Sequence, residues 1–298
     1  MQQPVLNKVP SEIFGHPYLP DNCNLQNEIR QQYCPYLKET CTKPRKSEPH
    51  IKVGICSVNH SCHISEDYLP VIVCPQRFKE DVMFETIRHQ YLSAWNNIGW
   101  ISEVNLGSGG NVDYVAITKN EQGNITDFLC VEIQAAGTTG SPYPAVLDII
   151  QHGQYAQDSY NFGINWANQY SKTMMQQAYK KGKIISHWKR KIVFVIQDVG
   201  IGYLKTACDT SRLFSSRDDM AIDFCAFKIA WDAHNNRWKL LFDRVYSTDV
   251  EGINKMLGGA VVDEYLTEEE FIVNIIRKGI ADKILDGKAY AKFLWTED

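Results

Sequence analysis

Residues 109–136, GGNVDYVAITKNEQGNITDFLCVEIQAA, are the stretch that most narrows what this 298-residue chain can fold into. Two apolar, β-branched runs, 112–118 and 125–136, flank a polar E-Q-G-N linker, a pattern that predicts a β-hairpin. Side chains alternate along a strand, so Glu132 and Gln134 share a face. A neighbouring antiparallel strand brings Asp113 close to them. The second run is apolar on both sides of Glu132, which predicts a buried central strand, where an unpaired carboxylate is costly. That cost disfavours the plainer reading of three polar groups on a solvated face. An Asp and a Glu converging beside an amide make an oxygen-rich site for a hard cation such as Mg²⁺.

With 44% hydrophobic and 22% charged residues, the chain can bury one large core or two modest ones. No apolar run approaches the roughly 20 residues that cross a bilayer. The first ten residues, MQQPVLNKVP, contain no basic region followed by an apolar core, so a cytoplasmic protein with no membrane partner is expected. A net charge of −4 does not advertise a nucleic-acid binder, but binding needs only a local basic face.

Residues 1–80 differ from the rest. They hold six of the nine cysteines (Cys23, Cys34, Cys41, Cys56, Cys62 and Cys74) and nine of the eleven prolines, with no long periodic segment. An irregular region of this kind needs a staple, and in a chain without an export signal cysteines point to metal ligation before disulfides. A tetrahedral four-thiolate site is expected. Cys56 and Cys74 end or interrupt short apolar strands, and Cys34 and Cys41 bracket a short segment, while Cys23, Cys62, His60 and His63 compete for places. The expected division is therefore 1–80 as a metal-binding region and 81–298 as a second domain.

From Lys79, apolar residues recur at helical steps to about residue 99, with Glu85 off the apolar stripe. Strands are expected at 100–106, in the hairpin, at 192–196, at 223–230 and at 238–245. Helices are expected at 145–158, at 166–181 and from about 267. The basic cluster of Lys180, Lys181, Lys183, Lys189, Arg190 and Lys191 follows the second of these helices. The segment from Lys79 thus reads α-β-β-β-α-β, an α/β protein with a mixed central sheet flanked by helices.

That order, with Asp113 on one strand and Glu132-x-Gln134 on the next, resembles the PD-(D/E)XK nuclease superfamily, with Gln134 standing where Lys is commonest. The series C-P-Y-L at Cys34, C-T-K at Cys41, G-I-C-S-V-N at Cys56 and V-C-P-Q-R-F at Cys74, followed by G-N-V-D-Y-V, resembles NotI-type restriction endonucleases over residues 14–200. In size the chain is similar to the EagI-like members, which read a GC-rich palindrome with GGCC at its centre.

The resemblance implies a prokaryotic restriction-modification enzyme that cuts double-stranded DNA and works as a homodimer. It also implies a structural iron, or equally zinc by ligand chemistry, on Cys34, Cys41, Cys56 and Cys74. Asp113 and Glu132 would hold Mg²⁺ with the Ile133 carbonyl. Gln134 would orient the attacking water, and Glu85 is the candidate extra acid. Lys181, Lys183, Lys189 and Arg190 are expected at DNA phosphates, and Arg212 and Arg217 lie in a polar segment, 209–219, that with loop 138–144 suits base recognition. Competing readings are a structure-specific repair or recombination nuclease, a non-catalytic DNA-binding module, and a redox role for the cysteines.

Overall fold

The computed structural model describes residues 9–18, 25–45, 48–62, 64–152 and 162–258. By its internal contacts the chain divides into units Met1–Gly259 and Ala260–Asp298, and the description concerns the first. The helix expected from residue 267 lies outside the described residues.

The N-terminal region is more regular than its composition suggests. Strands β1 (Pro10–Ile13), β2 (His16–Pro17), β3 (Ile55–Cys62) and β4 (Ser65–Ile72) form a sheet of order β2-β1-β3-β4. The expectation of irregular structure fails because β3 (ICSVNHSC) and β4 (SEDYLPVI) pair along eight-residue strands in which polar and apolar residues do not alternate cleanly, so no period shows. A short helix, α1 (Leu25–Gln31), precedes a tight hairpin that carries Cys34.

The second sheet has seven strands: β5 (Gly99–Asn105), β6 (Asn111–Lys119), β7 (Ile125–Gln134), β8 (Ile192–Gln197), β9 (Phe214–Ser215), β10 (Ile222–Asp232) and β11 (Arg237–Thr248). Their order is β9-β11-β10-β8-β7-β6-β5. The pairs β7–β8 and β8–β10 are parallel and the others antiparallel, so the fold is mixed α/β. β8 is buried at every position, as a parallel strand covered on both faces must be.

Helix α2 (Asp81–Tyr91) packs Met83 and Ile87 on one face of this sheet, in a core with Leu129, Val131 and Val195. On the other face lie α3 (Tyr143–His152), a π-helical segment Ala167–Met174, α4 (Met175–His187), α5 (Asp198–Ala207) and α6 (Val250–Met256). The sequence pattern did not predict α5, because it carries Gly200 and Gly202. A Cβ at Gly200 would stand 2.6 Å from the Tyr170 ring, so close packing rather than a turn explains that glycine. The two sheets are joined by Gln197, whose side chain accepts from the Ile72 N–H at 2.7 Å and donates to the Pro70 carbonyl at 2.7 Å.

Candidate active site and cysteine cluster

The hairpin forms where the sequence placed it. β6 and β7 pair antiparallel from Lys119 and Ile125 back to Tyr114 and Val131, and there the ladder stops. Asp113 and Glu132 are the next residues along. Instead of a backbone partner from β6, the Ile133 N–H donates to Asp113 Oδ2 at 2.7 Å, so the two acids meet where the strands part. Glu132 and Gln134 are both buried, in agreement with a central strand.

The residue completing this cluster was expected elsewhere. Lys181, anticipated at a DNA phosphate, is only 4% exposed, and its Nζ donates to Glu132 Oε1 at 2.6 Å and to the Asn111 carbonyl at 2.6 Å. It lies in the buried stripe of α4 with Met175, Ala178 and Ile185. A lysine in an apolar stripe at three- and four-residue spacing was the available signal, obscured by the neighbouring Lys180 and Lys183. Gly182 lets the helix sit close, since a Cβ there would stand 2.3 Å from Ile222 Cδ1.

Burial pushes the Glu132 carboxyl up to about 7. The Lys181 hydrogen bond opposes the rise, and the charge of Asp113 adds to it. Gln134 donates its amide to the Ala135 carbonyl at 2.9 Å. Glu85 is not brought to this cluster. It is exposed on α2, whose buried side packs on the face of β7 opposite Glu132, because strand alternation sends Val131 and Glu132 to opposite sides.

Other basic residues expected at DNA divide by environment. Lys183 lines a groove of about 770 Å³ with Ser108, Tyr179, Lys180, His187 and Trp188, along the outer side of α4. Lys189 is exposed. Arg190 pairs with Asp127 and lies 5.5 Å from the centre of the Phe128 ring. Arg212 and Arg217 are engaged locally, with Asp249 and Asp219.

In the N-terminal region, Cys34, Cys41, Cys56 and Cys74 line one cavity of about 10 Å³, room for a single small ion or water. The hairpin carrying Cys34 brings Cys41 round, since the Cys41 N–H donates to Gln32 O at 2.8 Å. The ends of β3 and β4 bring in the other two, with the Cys74 N–H donating to Cys56 O at 3.2 Å. Burial pushes all three of the Cys34, Cys56 and Cys74 thiols up. As placed, no three His, Cys, Asp or Glu among the described residues stand in metal-holding geometry. Cys62 pairs with Ser65 at the far end of the β3–β4 hairpin, a strand's length from Cys56, and His60 is near it. Cys23 and His63 lie outside the described residues.

Two carboxylates and an ammonium converging on one sheet face, with lysines along the outside of the same helix, suit a hydrolase that acts on a polyanion. The family model described as restriction endonuclease NotI matches residues 24–240, most of the chain. The chain belongs to the NotI restriction endonuclease family and is therefore a DNA-cleaving hydrolase. No curated protein matches it. Among the described residues no helix is long and apolar enough to cross a membrane.

Proposed function

We propose that this chain is a type II restriction endonuclease of the PD-(D/E)XK kind that makes Mg²⁺-dependent double-strand cuts at a GC-rich palindrome. The observation that carries the reading is the convergence of Asp113 and Glu132 at the end of the β6–β7 ladder. The donor set fits a hard cation: two carboxylates, one of them buried, with the Ile133 carbonyl as the proposed third oxygen ligand. When bound there, Mg²⁺ supplies Lewis-acid polarisation of the phosphate and a more acidic water.

The residues of the chain do the positioning. Asp113 is fixed by the Ile133 N–H, and Glu132 by Lys181, so neither carboxylate needs to reorganise as substrate arrives. Gln134 is the candidate to orient the attacking water through its amide. The water oxygen bonds to phosphorus as the bond from phosphorus to the 3′ oxygen breaks; the proton lost by the attacking water passes to solvent, and the leaving 3′ oxygen takes a proton from solvent to become a hydroxyl. Lys180 and Lys183 along the outer side of α4, and the exposed Lys189, are the proposed phosphate contacts, which would make affinity salt-dependent. Cutting both strands of a palindrome calls for two such sites about a two-fold axis, hence a homodimer working in the cytoplasm.

The four thiols are proposed to hold a structural iron or zinc. Four cysteines lining one small cavity supply the donor chemistry of a soft-ligand tetrahedral site, which would tie residues 1–80 together as a metal-binding region in front of a nuclease domain at 81–298.

The test is a digest of DNA of known sequence with the ends mapped. Fixed fragments that share a GC-rich palindrome at their ends support the assignment. A smear without fixed ends, or cuts confined to branched DNA, returns the chain to the structure-specific reading.

A further inference from the structure

The carboxylate pair leaves a chemical problem. Diester hydrolysis builds negative charge on the phosphoryl oxygens, and a site made of two acids and an amide adds none of the opposite sign itself. The strand that carries Glu132 has no cation to offer: Gln134, two residues on along the same face, is neutral and donates to the backbone at Ala135. We propose that Lys181, delivered by helix α4 rather than by the strand, is the positioning residue that supplies the positive charge of this active centre. The inference rests on the reading of Asp113 and Glu132 given above and concerns how that site works.

Three observations converge on it. An ammonium in an apolar helix stripe costs several kcal/mol unless paired, and Leu would fill the position without that cost. Lys181 nevertheless reaches Glu132 Oε1 and the Asn111 carbonyl, both at 2.6 Å. Asn111 begins β6, two residues before Asp113, so one ammonium bridges the two strands that carry the acids, just where their own ladder has ended. Gly182 permits the approach of α4 that makes this reach possible. An ammonium has three donors. Two are used among the described residues, and the third is available to a water or a phosphoryl oxygen beside Glu132.

The position also explains why Gln134 suffices on the strand. Charge and hydrogen-bonding direction, which one strand lysine could supply together, are divided between Lys181 on the helix and Gln134 on the sheet. Returning the cation to the strand should then relieve the need for it on the helix.

The experiment measures single-turnover cleavage in Mg²⁺, with DNA affinity measured separately in Ca²⁺, for Lys181→Gln, for Gln134→Lys/Lys181→Gln, and for Asp113→Asn and Glu132→Gln. Glutamine keeps two donors but no charge. Lys181→Gln should cut roughly 100-fold more slowly with DNA affinity unchanged, as loss of one preorganised electrostatic group does. The double variant should recover at least about tenfold of that loss, which a purely structural role for Lys181 would not allow.

Wild-type cutting by Lys181→Gln overturns the inference, as does a folded double variant with no recovery. Faster cutting with tighter Mg²⁺ dependence also overturns it, because the ammonium would then merely occupy the metal's place. Should Lys181→Gln not fold, the double variant decides: folded and active supports the inference, while folded and inactive, or unfolded, assigns Lys181 to stability alone. If Asp113→Asn and Glu132→Gln cut normally, it is the carboxylate reading that falls. If they are inactive while Lys181→Gln is active, only the lysine inference does.

Discussion

Among the described residues two ion pairs bury both partners, and they are built to opposite specifications. Arg77 and Glu12, 0% and 1% exposed, are saturated. The Arg77 Nε donates to both Glu12 oxygens at 2.9 and 2.8 Å, Nη1 meets Glu80, and Nη2 donates to the Trp238 carbonyl at 3.2 Å. Glu12 also accepts from Ser57 at 2.6 Å and from Tyr36 at 3.3 Å, and the guanidinium lies over the Tyr36 ring. Burial alone would lower the Arg77 pKa, but Glu12, with Tyr36 and Glu80, holds it above the ordinary arginine range.

Glu132 and Lys181 are nearly as buried, yet among the described residues Glu132 has only the Lys181 ammonium and the Asp113 backbone as hydrogen-bond partners. There burial wins, and the carboxyl rises to about 7. A saturated pair fastens the N-terminal sheet to β11. An incomplete pair keeps bonding capacity for something that arrives later, which is what a metal and a substrate need.

That contrast can be broken or sharpened in several ways. The largest effect is expected on the structural side. Cys56 adjoins Ser57, which holds Glu12, so stripping a metal from the four thiols should unravel β3 and its surroundings, on the order of 10 kcal/mol for a structural thiolate site. Hydrogen exchange before and after chelation reads this. Unchanged protection across residues 55–74 would show that the thiols do not staple the region.

Next, Arg77→Met should destabilise the protein by about 3–5 kcal/mol in urea, because it strands a buried carboxylate. If Arg77→Met cost no more stability than Lys181→Gln, the distinction between saturated and incomplete pairs would fail.

A smaller effect concerns pH. Glu132 has a folded value of about 7 against an ordinary 4.5. Its contribution to stability is therefore fully present below 4.5 and is lost as pH rises through 7. In metal-free protein that loss should reach about 3 kcal/mol by pH 8, at about 1.4 kcal/mol for each pH unit separating the folded and ordinary values. Glu132→Gln should flatten this part of the stability profile. A wild-type profile that superimposes on that of the variant would contradict the incomplete pairing.

The smallest effect belongs to the surface. Arg190, 36% exposed beside Asp127, should cost under about 1 kcal/mol of stability when changed to Ala. Its loss should lower the salt slope of DNA binding by about one if it meets a phosphate. An unaltered slope would remove it from the interface.

The same contrast governs what the sequence disclosed. Strand alternation and the apolar run around Glu132 were enough to place Asp113 and Glu132 together, since register and burial follow from a period of two. The four cysteines were likewise legible as a group, because paired strand ends and a short hairpin bring their segments together. Lys181 was hidden among lysines of equal charge. What separates it from Lys180 and Lys183 is the side of α4 it faces, and that depends on a helix boundary displaced by several residues behind the π-helical segment Ala167–Met174. Glu85 was misplaced for a related reason: periodicity shows that α2 is amphipathic, but not which face of the sheet it covers. Of the N-terminal sheet only short apolar strands at Cys56 and Cys74 were legible, because β3 and β4 carry polar residues at many positions, and helix α5 was missed because Gly200 serves packing.

The most direct test of the account is the single-turnover cleavage rate of Glu132→Gln in saturating Mg²⁺, on DNA that the protein demonstrably binds. A fall of roughly 1,000-fold or more, with binding retained, is the predicted result for removing a charged ligand from a metal-dependent hydrolase. A rate within a few fold of wild type would contradict the claim that Asp113 and Glu132 form the catalytic metal site.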